Sequence, residues 1–225
     1  MGALQQMMIA RRLHLVTSAI AALACLSTAA CTNDEREVLT AEQLTRGLSD
    51  QTTARAAMLA NAGAEQMQVR FLKTGRSGIM LQETRRAGLV TWLSSDGASL
   101  QTDKGLLRAT RGFGAGLMAV DLEQSRRRIF AHAEGPAERF HSYLTGNDET
   151  ETRTYHCDIR DRGNRTLTVA GQEIATRLIA ESCINPDKSF LNLYWLRATD
   201  NRLIQSRQWT GPYLGTVTTR LQVTP

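Results

Sequence analysis

The sequence predicts a mainly all-β protein, an antiparallel meander closed into a β-barrel-like domain or folded as a sandwich, preceded by a short N-terminal helical segment. Three observations carry this. From Met67 onward apolar and polar residues alternate with a period of two, as on strands with one face on a core and one on water. Turn signals interrupt the alternation at roughly 8–12-residue intervals. Upstream, Thr40-Ala41-Glu42-Gln43 has the form of a helix capping box.

Residues 1–30 read as an export signal. They hold no acidic residue, Arg11 and Arg12 form a basic start, and an apolar stretch from Leu13 to Leu26 runs into small residues before Cys31. That stretch is short and rich in Ala, Ser and Thr, which disfavours a stable membrane span. Ala29-Ala30-Cys31 resembles a bacterial lipobox, so Cys31 is the expected lipidation site, with Cys25 as the competing position. Thr32 follows Cys31 where an aspartate would resemble an inner-membrane retention signal, so the expected destination is the outer membrane, on its periplasmic side. Loss of Arg11 and Arg12 cuts the basic excess of the 225-residue chain from five to three. No basic tract exceeds Arg126-Arg127-Arg128, so nucleic acid is not an expected partner.

Residues 31–39 are read as a lipidated tether, 40–66 as a helical lead-in and 67–225 as the β domain. Within the lead-in, one short helix opens at the capping box and stops near Gly47, and a second runs from Thr52 to Asn61, ended by Gly63. Strand patterns occupy about 67–74, 78–85, 88–93, 98–102, 105–110, 139–145, 152–161, 165–170, 173–183, 189–197, 202–209 and 216–223. Between them stand turn signals such as Ser95-Asp96-Gly97, Asp103-Lys104-Gly105, Gly146-Asn147-Asp148 and Arg162-Gly163-Asn164. The outward faces carry Arg, Asp and Gln, which excludes lipid-facing porin strands. On 152–161 the apolar face is Tyr155, Cys157 and Ile159; on 189–197 Trp195 shares a face with Leu191 and Leu193, which is read as the buried one.

In an oxidising compartment Cys157 and Cys183 are expected to form a disulfide, with a redox-active or metal role as the alternative. No second ligand lies at useful spacing, so no metal and no cofactor is expected. Gly112-Phe113-Gly114-Ala115-Gly116 only superficially resembles a dinucleotide fingerprint: the third glycine comes one position early and the surroundings are all-β. His132, His141 and His156 are isolated and read as surface or loop residues. No nucleophile or metalloprotease motif is present in the sequence, and no catalytic residue is assigned.

Several segments together resemble the YjbF/GfcB lipoproteins: Trp92-x-x-x-Asp96-Gly97, Asp103-x-Gly105-Leu106-Leu107, Ala109-Thr110-Arg111-Gly112-x-Gly114, Leu117-Met118, Phe190-x-Asn192-x-Tyr194-Trp195 and Ser206-Arg207-Gln208-Trp209-x-Gly211-Pro212. Gly116 departs from the pattern, which leads one to expect Asp there. The resemblance implies a β-barrel-like fold and an outer-membrane lipoprotein serving capsule or exopolysaccharide production, encoded beside a large outer-membrane barrel protein. It supplies no catalytic residues. The partners it implies are the membrane, through the N-terminal lipid, that barrel protein of a polysaccharide export system, and the polysaccharide itself.

The expected function is therefore a non-enzymatic accessory in polysaccharide export or assembly. The alternatives are a sugar-modifying envelope enzyme without a recognisable motif and a purely structural envelope lipoprotein. The expected polymer or partner surface comprises Arg111, Gly112, Gly114, Trp209 and Tyr213. A guanidinium can fork onto a carboxylate of an acidic sugar or a partner; internal pairing of Arg111 with Asp96 or Asp103 is the competing reading.

Overall fold

The alternation builds twelve strands among the described residues of a computed structural model, which covers residues 41–145 and 149–222. The signal segment, the tether, Cys25 and Cys31 lie outside these residues, as does the Gly146-Asn147-Asp148 turn. Residues 46–225 cluster as one unit, and the strands all belong to it.

The strands are β1 (Gln66–Phe71), β2 (Ser77–Arg86), β3 (Leu89–Leu93), β4 (Ser99–Asp103), β5 (Leu106–Arg111) and β6 (Leu117–Asp121). They continue as β7 (Gly135–Leu144), β8 (Thr150–Val169), β9 (Gln172–Ile184), β10 (Ser189–Arg197), β11 (Leu203–Trp209) and β12 (Thr216–Leu221). All pairings are antiparallel, in the order β5-β4-β3-β2-β1-β12-β11-β10-β9-β8-β7-β6. Each strand therefore neighbours the next in sequence, β1 and β12 join the two ends of the chain, and the one break falls between β5 and β6. There the Thr110 hydroxyl accepts the Leu117 N–H at 2.9 Å, so a side chain bridges what a ladder would otherwise close. The architecture is a nearly closed barrel, in which the sheet's two edges, β5 and β6, come together instead of standing open.

One helix, α1 (Ala41–Asn61), replaces the two that Gly47 was expected to separate. A lone mid-helix glycine costs only about 0.5–1 kcal/mol, and the helical ladder runs through it. The helix does end at Gly63, whose φ of 70° allows a left-handed turn; Ala64 N–H reaches Leu59 O at 3.0 Å and Gly63 N–H reaches Ala60 O at 3.1 Å, a Schellman closure. Its second half lies against β2 and the β3–β4 turn, burying Ala56, pairing Arg55 with Glu83 at 2.7 Å and donating the Thr53 hydroxyl to Ser95 O at 3.4 Å.

Two elements were not legible as sequence: β6 and the helix α2 (Glu123–Ala131). In α2 the buried set is only Ser125 and Ile129, four residues apart, and apart from Ile129 its only apolar residues are the adjacent Phe130 and Ala131, so no apolar stripe announces it. Asp121 Oδ1 accepts the Glu123 N–H at 3.1 Å and serves the helix start that the N-cap Leu122 cannot. The Arg162-Gly163-Asn164 turn is absent as well. β8 runs straight through it for 20 residues, and the extra residues form a bulge between Asp161 and Asn164 in which Asp161 Oδ1 accepts the Gly163 N–H. Beyond this bulge the β8–β9 hairpin packs Val169 and Ile174 onto Ile204, in a small apolar cluster of their own.

The interior is apolar along one side, with Met67, Val69, Phe71, Met80, Trp92, Leu100, Leu117 and Val217 among its buried residues. Tyr155, Cys157 and Ile159 face inward as their alternation predicts. On β10 the reading inverts: Asn192, Tyr194 and Leu196 are the buried set, and Leu191 is 41 % exposed. The physical reason is that this part of the interior is polar, so hydrophobicity marks the wrong face.

Candidate functional site

The residues expected to form a surface lie at one end of the barrel, because β5 and β11 both run toward the end that also carries the β1–β2, β3–β4, β7–β8 and β9–β10 turns. Gly112 and Gly114, with φ of 78° and 83°, bend the β5–β6 loop. A Cβ on Gly112 would come within 2.9 Å of Ala98 Cα, and one on Gly114 within 3.0 Å of the Tyr213 ring. The glycines thus let this loop seat against the β3–β4 turn and against the β11–β12 loop. Tyr213 is held there while remaining 57 % exposed. Lys73 Nζ donates to Pro212 O at 2.8 Å and Phe113 packs on Phe71 at 4.8 Å, which ties the rim together.

Arg111 is exposed at the end of β5 and forms no ion pair among the described residues. Asp96 is engaged by the Ser94 hydroxyl and lies 3.6 Å from Arg76, and Asp103 lies 3.7 Å from Arg126, so neither aspartate holds Arg111. The Ser94 hydroxyl is the main cause of a lowered Asp96 pKa. Trp209 is placed differently. Its ring stacks on Phe190 at 5.6 Å, Lys188 Nζ lies 5.0 Å from its centroid, and its indole nitrogen is buried. Arg111, Gly112, Gly114 and Tyr213 therefore share the outer rim, whereas Trp209 faces the interior.

Behind Trp209 lies a polar cluster that the sequence did not single out. Glu181 Oε2 accepts Arg139 Nη1 at 2.5 Å, Tyr194 OH at 2.7 Å and Asn192 Nδ2 at 2.9 Å. Arg139 and Glu181 are 2 % and 0 % exposed. Burial by itself would raise the Glu181 pKa, but the Arg139 charge and the polar groups of Ser125, Asn192 and Tyr194 hold it below the usual carboxylate value. Arg139 stays charged because burial is outweighed by Glu181 and Tyr194.

Next along β7, Arg139 Nε donates to His141 Nε2 at 3.3 Å, which leaves the ring proton on Nδ1, 2.8 Å from Tyr143 OH. His141 is fully buried rather than on the surface, and burial followed by the Arg139 charge depresses its pKa well below the ordinary value. His156, in contrast, is exposed as its alternation predicts. Burial also raises the Tyr143 phenol. Burial thus works against a charged His141 and an ionised Tyr143, while Arg139 and Glu181 stand as a buried ion pair.

Cys157 and Cys183 are directly paired across β8 and β9 and form a disulfide. A Glu181 oxygen and the two sulfurs lie within 4.8 Å of one another, but both sulfurs are consumed by the bond, so the metal alternative is not realised in this arrangement. Alternation hid Arg139, Glu181 and Asn192, because charged and amide residues on a strand read as solvent-facing. The available signals were of parity: Glu181 falls on the face of Ile179 and Cys183, Arg139 on that of Ala137 and Tyr143, and Asn192 and Tyr194 on that of Leu196.

Against this geometry, the family model described as "Group 4 capsule polysaccharide lipoprotein gfcB, YjbF" matches residues 26–221. The chain belongs to this family. Among solved structures, the YmcC lipoprotein from Escherichia coli K12 is similar at 21 % identity and a TM-score of 0.65, covering 83 % of this chain and 97 % of that one. At that identity the likeness speaks to the fold: YmcC and this YjbF-family chain share the barrel. An exported protein with a YmcC-like fold from Bacteroides fragilis NCTC 9343 matches at 8 % identity and a TM-score of 0.28, covering 71 % and 94 %, a level that carries no argument. No curated protein matches the sequence. Where the YjbF/GfcB resemblance led to Asp, Gly116 packs so tightly on the Thr110 hydroxyl that a Cβ would overlap it.

Proposed function

We propose that this protein is a non-enzymatic accessory in capsule or exopolysaccharide export or assembly, held by an N-terminal lipid on the periplasmic side of the outer membrane. The observation that carries the reading is membership of a capsule-polysaccharide lipoprotein family over residues 26–221. The sealed Arg139–Glu181–His141 cluster supports a role without chemistry, since no carboxylate or imidazole of that cluster meets solvent. The rim supports a docking role: Arg111 offers a guanidinium unpaired among the described residues, beside a loop that buttresses the exposed Tyr213. The rim's partner is an outer-membrane barrel protein of the export system, the polymer, or both together.

Deleting the gene is the test. Surface polysaccharide falls while cytoplasmic precursor synthesis continues; unchanged surface polymer refutes the role. Crosslinking in intact envelopes recovers an outer-membrane barrel protein through Arg111 and Tyr213 positions, and recovery of a sugar-modified product instead would favour an enzyme.

A further inference from the structure

The opposite end of the barrel holds a second feature that the rim does not explain. Between the start of β1, the second half of β2, the end of β12 and the β10–β11 turn lies a cavity of about 990 Å³, lined by Glu65, Gln66, Arg85, Arg197, Arg202 and Gln222 among others. A further hollow of about 330 Å³ shares Arg85 and Arg202 with it and reaches Trp92, Thr102 and Lys104 within the barrel. The larger volume falls at the upper end of the roughly 300–1,000 Å³ of small-ligand sites, and barrel mouths are a frequent location for them.

The charges here do not cancel. Arg197 is satisfied by Asp200, with bonds of 2.8 and 2.5 Å from Nε and Nη2 to the two carboxylate oxygens. Arg85 and Arg202 share a single carboxylate: Glu65 Oε1 pairs with Arg202, and Glu65 Oε2 lies 3.3 Å from Arg85 Nη2. Each guanidinium carries five N–H donors. Among the described residues Arg85 and Arg202 use only their Nη2 groups, the former also reaching Gln82 Oε1 at 2.6 Å. Among the described residues the Lys104 ammonium meets only the Phe130 ring, 5.4 Å away. Two open forks, 51 % and 39 % exposed, therefore face a polar space with two cations in excess.

The walls narrow the ligand class further. Gln66, Gln82 and Gln222 bring amides that bond hydroxyls, while Trp92 is buried with its Nε1–H given to Thr102 and presents no platform for stacking. Forks plus amides suit an oxyanion carried on a hydroxyl-rich body.

We infer that this mouth binds a carboxylate-bearing oligosaccharide, with Arg85 and Arg202 forking onto the carboxylate and Glu65 occupying them in its absence. The choice of a sugar among oxyanion carriers rests on the proposed polysaccharide role. Because Glu65 competes with the ligand for the same donors, the site makes an unusual prediction of sign: removing an acid strengthens binding and removing either base weakens it.

The test is titration calorimetry on the mature, membrane-extracted protein in detergent at low salt, with trigalacturonate, its fully methyl-esterified form and inorganic phosphate as probes. Trigalacturonate binds and its neutral ester does not. Arg85→Gln and Arg202→Gln each weaken binding at least about tenfold, the scale of a charge-assisted hydrogen bond, and Glu65→Gln tightens it. Equal binding of the ester, absence of trigalacturonate binding, binding of phosphate alone, or indifference to all three substitutions overturns the site. The Glu65→Gln arm keeps the test decisive where an arginine variant fails to fold. In cells the two readings separate. Full restoration of surface polymer to the deletion strain by the Arg85→Gln/Arg202→Gln protein overturns the site and leaves the accessory role standing. A deletion without effect on polymer overturns the role and leaves the calorimetry to judge the site.

Discussion

Replacing Glu181 by Gln puts the buried cluster to its most direct test. The substitution keeps the shape and removes the charge, so Arg139, 2 % exposed, is left as a buried cation without its counter-ion. Breaking a buried pair in this way costs about 3–5 kcal/mol, because the remaining charge keeps its desolvation penalty and loses its attraction. For a domain of this size that is roughly 6–20 °C in melting temperature. The control is Arg139→Met with Glu181→Gln. It removes both charges, and the amide oxygen still accepts from Tyr194 and Asn192, which bond Glu181 at 2.7 and 2.9 Å. The double variant is thus expected to lose less than the sum of the singles, by about 1–3 kcal/mol. Urea unfolding of the oxidised protein, with m-values compared, measures all four corners. A cost under about 1 kcal/mol for Glu181→Gln, or strict additivity, refutes the ion-pair account. The pH dependence has a definite sign as well. Folding lowers the Glu181 pKa, so its contribution is fully present above the unfolded value of about 4.3 and is lost as pH falls through the lower folded value.

Three further outcomes follow from the geometry. His141 has a depressed folded pKa, so stability drops as pH falls below the unfolded value of about 6.5, and His141→Gln flattens that slope in pH-dependent denaturation. Removing the disulfide by Cys157→Ser/Cys183→Ser, across a separation of 26 residues, costs about 3 kcal/mol in urea unfolding, and reductant reproduces the loss in the unaltered protein. Gly116→Asp forces its Cβ onto the Thr110 hydroxyl and loosens the β5–β6 junction, at about 1–3 kcal/mol; faster hydrogen exchange at the Leu117 amide reports it, and unchanged protection contradicts the bridging role.

Much of the fold was readable before the structure. Val217, Thr219 and Leu221 alternate with Thr216, Thr218 and Arg220, and β12 buries Val217 and Thr219 accordingly. Cys157 shares its face with Tyr155 and Ile159, and its disulfide to Cys183 is buried there. What misled was polarity used as a proxy for exposure. Leu191, Leu193 and Trp195 look like a core face, yet the interior at that level belongs to Asn192 and Tyr194, which serve Glu181. α2 escaped notice because two buried residues make no stripe, and β8 continued through a turn signal because a bulge absorbs the surplus residues locally.

The functional candidates divide along the same line. Arg111, Gly112, Gly114 and Tyr213 could be marked from the sequence, since glycines beside an arginine and a lone aromatic after Gly-Pro stand out from a β alternation. That Tyr213 rests on Gly114 is a tertiary fact. The Arg85–Glu65–Arg202 mouth spans positions up to 137 residues apart.

The sequence by itself determined the strand periodicity, turns such as Ser95-Asp96-Gly97 and Asp103-Lys104-Gly105, the pairing of two cysteines and, through its motifs, the family. Alternation states which residues share a face and is silent on which face is wet. Only the closure of β1 on β12 decided that, by making one face of every strand an interior with too few contacts to water for an unpaired charge. The same closure gathered Arg85 and Arg202 at one mouth and Arg111 and Tyr213 at the other, because in an antiparallel barrel successive turns lie at opposite ends.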